Sequence, residues 1–448
     1  ENPPTGISDV RIAEIFTRAL ILLSSMNEPQ EFDRLLQLAE TRYRTNLPLL
    51  LALYDSAGRI PSWGHRIGGE FVRGRNRGDY GVRFSCSERD RVRLLRLYDA
   101  AFRRSPDTLP GGFYARFAGL WLTGRTGGSS WKLQWKTDLS VLPDYDTGNG
   151  ICQSSPPVGR EGLPVFYPTP KSWESAASDG ERFQFLRQKA REQKETFADA
   201  IYADFLYNQF GRIGLNRWNI SGEERRLLES LSDEETLVLL PDGPLRFRMP
   251  EGHNFITLYR ELGKWTELGS IYLSRFQADR ALEAFRKSGN REMVAQLSGN
   301  LGALDPLRVQ AAGEEPVLSF LYRNAEAGNV TIRRIEEKAL FDALLAAHGK
   351  NGKNNFPNLY SVPVKEVLEH YAGTVGAEIA AFPLQLHPRP RHAETEQKIT
   401  LPLKESGAYL VEIKLREGNT SRIIVYLTEA MLSVSNTTDQ PGRLFLNH

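Results

Sequence analysis

Gly407-Ala408-Tyr409-Leu410-Val411-Glu412-Ile413-Lys414-Leu415 is the stretch on which the fold of this chain turns. Tyr409, Val411, Ile413 and Leu415 alternate with Glu412, Lys414 and Arg416, the period of a strand with one face in a core and the other in water. Glu417-Gly418-Asn419-Thr420 follows as a hairpin turn, and Ser421-Arg422-Ile423-Ile424-Val425-Tyr426-Leu427 returns. Upstream, Pro316–Tyr322, Asn329–Ile335, Ala377–Leu386 and Lys398–Leu403 carry similar strand patterns. Strands at this spacing, separated by polar turns, predict an antiparallel β-sandwich over residues 305–436, interrupted by a short helix at Glu336–Ala347. Residues 437–448 are expected to be a linker toward a following domain.

The period before residue 305 is helical, and residues 1–304 are expected to form an α-helical, repeat-like region. Ile7, Val10, Ile12, Ile15, Phe16, Ala19 and Leu22 make one stripe; Phe32, Leu35, Leu36, Leu38, Ala39 and Tyr43 make a second. Asn46-Leu47-Pro48 starts a third helix. Gly68–Val72 and Tyr80–Phe84 alternate like two strands joined by a turn at Arg73–Asp79, so a β-ribbon inserted near residues 66–86 is expected. Ser87 is a candidate N-cap for the next helix, with Asp90 at its third position. Residues 179–210 are expected to be one long helix, with Arg187, Lys189, Arg191, Glu192, Lys194 and Glu195 on a solvated face.

The hairpin expected at residues 262–295 contains Trp265, Leu268, Gly269 and Tyr272, followed by Ala281 and Phe285. Type and spacing match the tetratricopeptide pattern W-x2-L-G-x2-Y…A-x3-F. Trp265, Leu268 and Tyr272 share a helix face. Gly269 has no Cβ and admits the second helix, Ala281 is its small partner, and Phe285 fills the groove behind. Ser288 stands where a second alanine is usual and the loop proline is missing, so an irregular helical solenoid is expected rather than a regular array.

Composition narrows the function. The 448 residues suffice for two to four domains. A formal net charge of +2 supplies no global field to gather nucleic acid. The two cysteines, Cys86 and Cys152, are too few for a disulfide scaffold; they are one candidate bridge, or two buried thiols. No apolar run is long enough to span a bilayer as a helix. The chain begins at Glu1 without methionine, as expected of a processed or excised piece.

Several stretches resemble the N-terminal region of large bacterial alpha-2-macroglobulin-like proteins. Gln296-Leu297-Ser298-Gly299-Asn300-Leu301-Gly302-Ala303-Leu304-Asp305-Pro306, followed by Leu318–Asn324, looks like the junction into the first macroglobulin-type domain. Gly407–Glu412 and Ile424–Thr428 resemble its closing strands. Gly69–Gly74, Glu88–Val92 and Leu133–Leu139 are similar to the helical region that precedes it. The resemblance implies a macroglobulin-like fold and an exported protein, in the periplasm or cell envelope. Some members trap proteases with a bait segment and a C-x-E-Q thioester. Here Cys152 is followed by Gln153-Ser154-Ser155, which does not match, so protease trapping is implied only for a longer protein.

No chemistry emerges from motifs. The seven histidines form neither H-E-x-x-H nor a zinc spacing, and His387-Pro388-Arg389-Pro390-Arg391-His392 is a basic loop. Gly124–Ser130 and Gly349–Asn355 lack the lysine-serine ending of a phosphate loop. No catalytic residue, cofactor or metal is expected. Arginines with aromatics near Phe71–Phe84 are the composition of a binding hot spot, or of a structural ribbon capping the helices. The expected function is a non-catalytic exported scaffold or interaction module. Its partners are other proteins, further domains of a longer chain or copies of itself. The alternative is a structural subunit of a cell-envelope assembly.

Overall fold

The computed structural model describes residues 7–26, 31–74, 82–125, 127–147, 164–211, 222–240, 243–306, 309–350, 359–429, 431–437 and 440–447. It is mixed α and β and comprises two compact units, Glu1–Lys264 and Trp265–His448. Among the described residues, no helix is long and apolar enough to cross a membrane.

The first unit opens with α1 (Asp9–Met26), α2 (Glu31–Arg42) and α3 (Leu47–Ala57). Asn46 caps α3 by accepting from Leu49 N at 2.9 Å, and Pro48 in the first turn loses no helical hydrogen bond. A three-stranded sheet follows, β1 (Trp63–Ile67), β2 (Glu70–Arg73) and β3 (Arg83–Ser85), in the order β2-β1-β3. A sheet stands where the ribbon is expected, but its strands have different bounds. Gly68 and Gly69 lie in the turn rather than in a strand, because both adopt positive φ (59° and 89°), and the missing strand is Trp63–Ile67. The expected turn and second strand fall partly outside the described residues.

Helices α4 (Ser87–Arg104) and α5 (Gly111–Leu122) supply the aromatic core. The Tyr98 and Phe113 rings stack at 4.8 Å, and Phe117 meets Trp173 at 5.3 Å. Ser87 is the first residue of α4 rather than its cap. Cys86 holds the cap position without a side-chain hydrogen bond, and Asp90 turns to an arginine instead. After the 3-10 segment Gly127–Gln134, the long helix expected over 179–210 is two helices, α6 (Asp179–Glu192) and α7 (Phe197–Leu206), followed by a π-type turn, Tyr207–Gly211. The chain breaks where Lys194 takes φ 59°, and α7 folds back. Asp199 thereby reaches Arg187 and Arg191 at 2.6 and 2.7 Å, so Arg187 is buried rather than solvated. The unit closes with α8 (Gly222–Glu229), the hairpin β4 (Glu235–Leu240) and β5 (Gly243–Arg248), and α9 (Phe255–Glu261).

The second unit begins with the antiparallel helices α10 (Trp265–Ser274) and α11 (Ala278–Ser288), then α12 (Arg291–Ser298). These helices, expected to belong with the preceding ones, group instead with the strands. The reason is local bonding: Asn324 Nδ2 donates to Leu297 O and Gly299 O at 3.0 and 2.8 Å, and Asn300 Nδ2 donates to Arg416 O at 2.8 Å. The strands are β6 (Leu301–Leu304), β7 (Val309–Ala311), β8 (Val317–Arg323) and β9 (Ala327–Ile335). Then come α13 (Glu337–Lys350), α14 (Val364–His370), β10 (Val375–Gln385), β11 (Thr395–Thr400), β12 (Gly407–Leu415) and β13 (Thr420–Thr428). They form a five-stranded sheet, β10-β9-β12-β13-β7, and a three-stranded sheet, β11-β8-β6. Every pairing is antiparallel except the short edge strand β7, which runs parallel to β13. The first strand, β6, begins before residue 305, and Phe320 packs over Gly302, where a Cβ has no room.

One core joins the two sheets: Leu318, Phe320, Tyr322 and Ile399 from the smaller, Val330, Ile332, Val411, Ile413 and Val425 from the larger. The second face of β12 is only partly wet. Ala408 and Leu410, with Ile335, Ile424 and Tyr426, pack against Leu340 and Leu344 of α13 and Val367 of α14, while Glu412 and Lys414 lie at the wetter end. The supposed interruption at Glu336–Ala347 is thus a cover for the sheet. Residues 437–448 are not a plain linker, because β15 (Gln440–Asn447) pairs antiparallel with β14 (Met431–Thr437).

Candidate interaction surface

Arg73, the last residue of β2, fixes the ribbon to the helices. Its guanidinium is 1% exposed. Nε and Nη2 donate to the two Asp33 oxygens at 3.0 and 2.7 Å, and Nη1 and Nη2 donate to the two Asp90 oxygens at 2.7 and 2.9 Å. Nη1 also donates to Pro61 O at 2.9 Å and Cys86 Sγ at 2.8 Å, and the guanidinium lies 5.0 Å over the Phe32 ring. Burial opposes the charge, but the hydrogen bonds that Arg73 donates to Asp90 and Asp33 outweigh it and raise the pKa. Arg93 extends the network to Glu40 at 2.8 Å. Three elements far apart in sequence, α2, β2 and α4, are joined by one planar cation.

Cations and rings occupy both faces of the ribbon: Arg66, Phe71 and Phe84 share the face of Arg73, and Trp63 and Arg83 lie on the opposite one. Arg83 lies 4.6 Å over Trp63. Arg66 lies 5.1 Å over Phe84 and 5.8 Å over Tyr145, and bonds Asp144 at 2.7 Å. Arg89 also lies over Tyr145, at 5.0 Å, and donates to Pro143 O. Phe71 and Tyr145 stack at 4.0 Å with planes 12° apart. Arg66 and Arg83 are exposed, as is Val82 at 60%. The rings restrain these guanidinium groups, and Asp144 restrains Arg66 further, so part of their side-chain entropy is already lost before binding. The arrangement suits recognition of carboxylates and aromatic side chains.

The arginine and aromatic composition near Phe71–Phe84 pointed to this surface, but Tyr145, in a stretch expected to be loop, did not. It joins through the bridge between Ser85 and Asp146, a pairing that no local pattern announces. Asp33 and its part in anchoring Arg73 were equally invisible.

The other expected positions lie elsewhere. Trp265, Leu268, Gly269, Tyr272, Ala281 and Phe285 sit in the α10–α11 hairpin, where Leu268, Gly269, Tyr272, Ala281 and Phe285 are buried and Lys287 Nζ lies 4.5 Å over Trp265. Cys86 is a buried thiol pushed up to about 12, first by burial and then by the Asp90 charge, so at neutral pH it is no thiolate. Its candidate partner Cys152 lies outside the described residues. His392 bonds Asn324 at 2.9 Å across its loop. Among the described residues, no group of three or more histidine, cysteine or carboxylate side chains is placed to hold a metal ion.

Two other clusters carry perturbed groups. Glu88 accepts from Arg91 and Arg125, both at 2.6 Å; burial alone would raise its pKa, yet these partners hold the carboxyl at about 2. His253 Nδ1 and Tyr202 Oη are 2.5 Å apart, and burial together with the Arg187 charge lowers His253 to about 4. Gly252 and Asn254, on either side of His253, line a cleft of about 670 Å³ with Arg191, Arg248, Glu234 and Glu261.

No protein family and no curated protein matches the chain in sequence. Two crystal structures of native alpha-2-macroglobulin from Escherichia coli are similar over part of it. The structure spanning domains MG0-NIE-MG1 is 12% identical, with a TM-score of 0.21, over 31% of this chain and 42% of that chain. The structure spanning NIE-MG1 is 14% identical, with a TM-score of 0.20, over 31% of this chain and 65% of that chain. The chain thus matches less than two thirds of the length of either.

Proposed function

We propose that this chain is a non-catalytic, exported interaction module whose second unit is a macroglobulin-type sandwich and whose first is an irregular helical solenoid presenting the ribbon to a protein partner. The observation that carries the reading is the pair of exposed ribbon arginines held on aromatic rings, Arg66 on Phe84 on the face of the buried Arg73 and Arg83 on Trp63 on the opposite face. Preoriented arginines beside rings are the residue types that dominate protein interfaces. Macroglobulin-like identity rests on the sequence resemblance at residues 296–324 and 407–428. Protease trapping belongs to a longer protein.

The test is to immobilise the chain and measure saturable binding of proteases of differing specificity, with Arg66→Ala and Arg83→Ala in parallel. A complex weakened by both substitutions supports the reading. Turnover of a small substrate by the purified chain would overturn it. The alternative, a structural subunit of a cell-envelope assembly, draws on β10, an eleven-residue strand at the edge of its sheet with Ile379 49% exposed. Concentration-dependent growth in light scattering, abolished by Ile379→Lys, would favour it.

A further inference from the structure

The cleft between the end of α6, the base of the β4–β5 hairpin and α9 lies within the first unit. Its volume of about 670 Å³ falls inside the roughly 300–1,000 Å³ of small-ligand pockets. Its walls are bonded to one another. Met249 N donates to Glu234 O at 2.7 Å, which closes the base of the hairpin. Asn254 Nδ2 donates to Asp233 O at 2.9 Å and fixes the start of α9 to the chain entering β4. Arg187 Nη1 donates to Gly252 O at 3.4 Å, while its Nε donates to Asp199 at 2.6 Å, so the loop before α9 is pinned to α6 and α7. The recess is preformed, and an occupant orders little of it on binding.

Helix α9 sets the length of the cleft. Asn254 lines it at one end of the helix and Glu261 at the other, about 10 Å apart, with Thr257 and Leu258 between them. The two ends differ in charge. At the Glu261 end, Arg187 and Arg191 share Asp199, so one positive charge is left to face Glu261 alone. Nε of Arg191 donates to both Asp199 oxygens, its Nη2 is 4.0 Å from Glu261, and neither Nη group has a hydrogen bond among the described residues. At the Asn254 end stand Glu234, Glu251 and Arg248, with one negative charge in excess. Glu251 is exposed and has no hydrogen bond or ion pair among the described residues. We infer that the cleft binds a short unblocked peptide, about three residues long, with its ammonium group at Glu234 and Glu251 and its carboxylate on the Nη groups of Arg191. Three extended residues cover about 10 Å, the length that α9 sets. A guanidinium edge is the side-chain group best matched to a carboxylate. Met249 and Leu258 line the same walls and supply apolar contact. Arg248 disfavours a ligand that is basic throughout, and the three glutamates disfavour one that is acidic throughout. No residue of the cleft belongs to the ribbon surface, so either reading can fail without the other.

The experiment titrates the full chain calorimetrically with dialanine, trialanine and tetraalanine, and with N-acetylated and C-amidated trialanine. Saturable binding of trialanine is expected, with dialanine weaker because it cannot reach both ends. Each blocked form binds about tenfold more weakly, the loss of one charged contact. The variants assign the ends. Glu251→Gln weakens trialanine by about tenfold but leaves the N-acetylated peptide unchanged, and Arg191→Gln does the same with respect to the C-amidated peptide. Arg191 also holds Asp199, so thermal unfolding of its variant is measured alongside. Glu251 carries no such bond, and its variant tests the site whether or not Arg191→Gln folds. Absence of saturable binding by trialanine overturns the inference. So does binding indifferent to both blocking groups, or a Glu251→Gln chain that binds trialanine as the parent does.

Discussion

The ring of Phe285 lies directly on the backbone of Gly269: a Cβ added at Gly269 stands 2.6 Å from Phe285 Cε1 and 2.7 Å from Cζ. The glycine of α10 and the phenylalanine of α11 are thus a single packing unit. Gly269→Ala is expected to destabilise the second unit by about 1–3 kcal/mol despite the better helix propensity of alanine, because the ring must leave its place. Phe285→Leu in the same chain recovers part of the loss. A urea denaturation cycle over the four variants measures this coupling, and strict additivity would refute the contact as its source.

Arg73 is the second test of packing. Arg73→Met leaves Asp33 and Asp90 facing each other without their shared cation and is expected to cost about 3–5 kcal/mol. Arg73→Lys is no rescue, since an ammonium cannot reproduce four bonds to two carboxylates. Chemical denaturation compares the three proteins. Lysine matching the parent would show that charge alone suffices.

Stability should fall in two steps on acidification. His253 is lowered from 6.5 to about 4, so the unfolded chain takes up its proton first, and stability is lost as pH falls from 6.5 toward 4. Glu88 is lowered from 4.5 to about 2, so its contribution is present above 4.5 and lost as pH falls toward 2. Melting temperatures at steps of half a pH unit should show both slopes. His253→Gln flattens the upper one alone, and Glu88→Gln the lower one; an upper slope unchanged by His253→Gln would assign it to another group.

The ribbon turn makes a backbone prediction. Gly68 and Gly69 both take positive φ, and added Cβ atoms meet nothing within 4 Å, so any cost there is conformational. Gly68→Asn should change stability by less than about 0.5 kcal/mol. Gly69→Val should cost about 1–2 kcal/mol. Equal tolerance of both, measured by thermal unfolding, would mean the turn is not the one observed.

Much of the fold was legible because its elements are periodic. The alternation of Tyr409, Val411, Ile413 and Leu415 marked β12, and the spacing of Leu268, Gly269 and Phe285 marked a close helix pair. The errors arose where a local pattern is silent about its surroundings. Residues 179–210 keep a helical period across the break at Lys194, because a reversal of direction changes no residue type. Glu336–Ala347 was recognised as a helix, but not that it covers Ala408 and Leu410. The ribbon surface was half legible, its arginines and Phe71 from composition, its Tyr145 not at all.

By itself the sequence determined which segments extend and which coil, since side-chain period and backbone conformation are set within a few residues. It also determined that arginine and aromatic residues crowd one ribbon. Only the tertiary structure decided what those arginines do. Arg73 lies buried between Asp33 and Asp90, Arg187 is drawn inside by Asp199, and Arg66 stays in water on Phe84. An arginine carries the same charge wherever it stands; its role follows from which carboxylates and rings the folded chain brings to it, and those contacts span tens of residues that no local period connects.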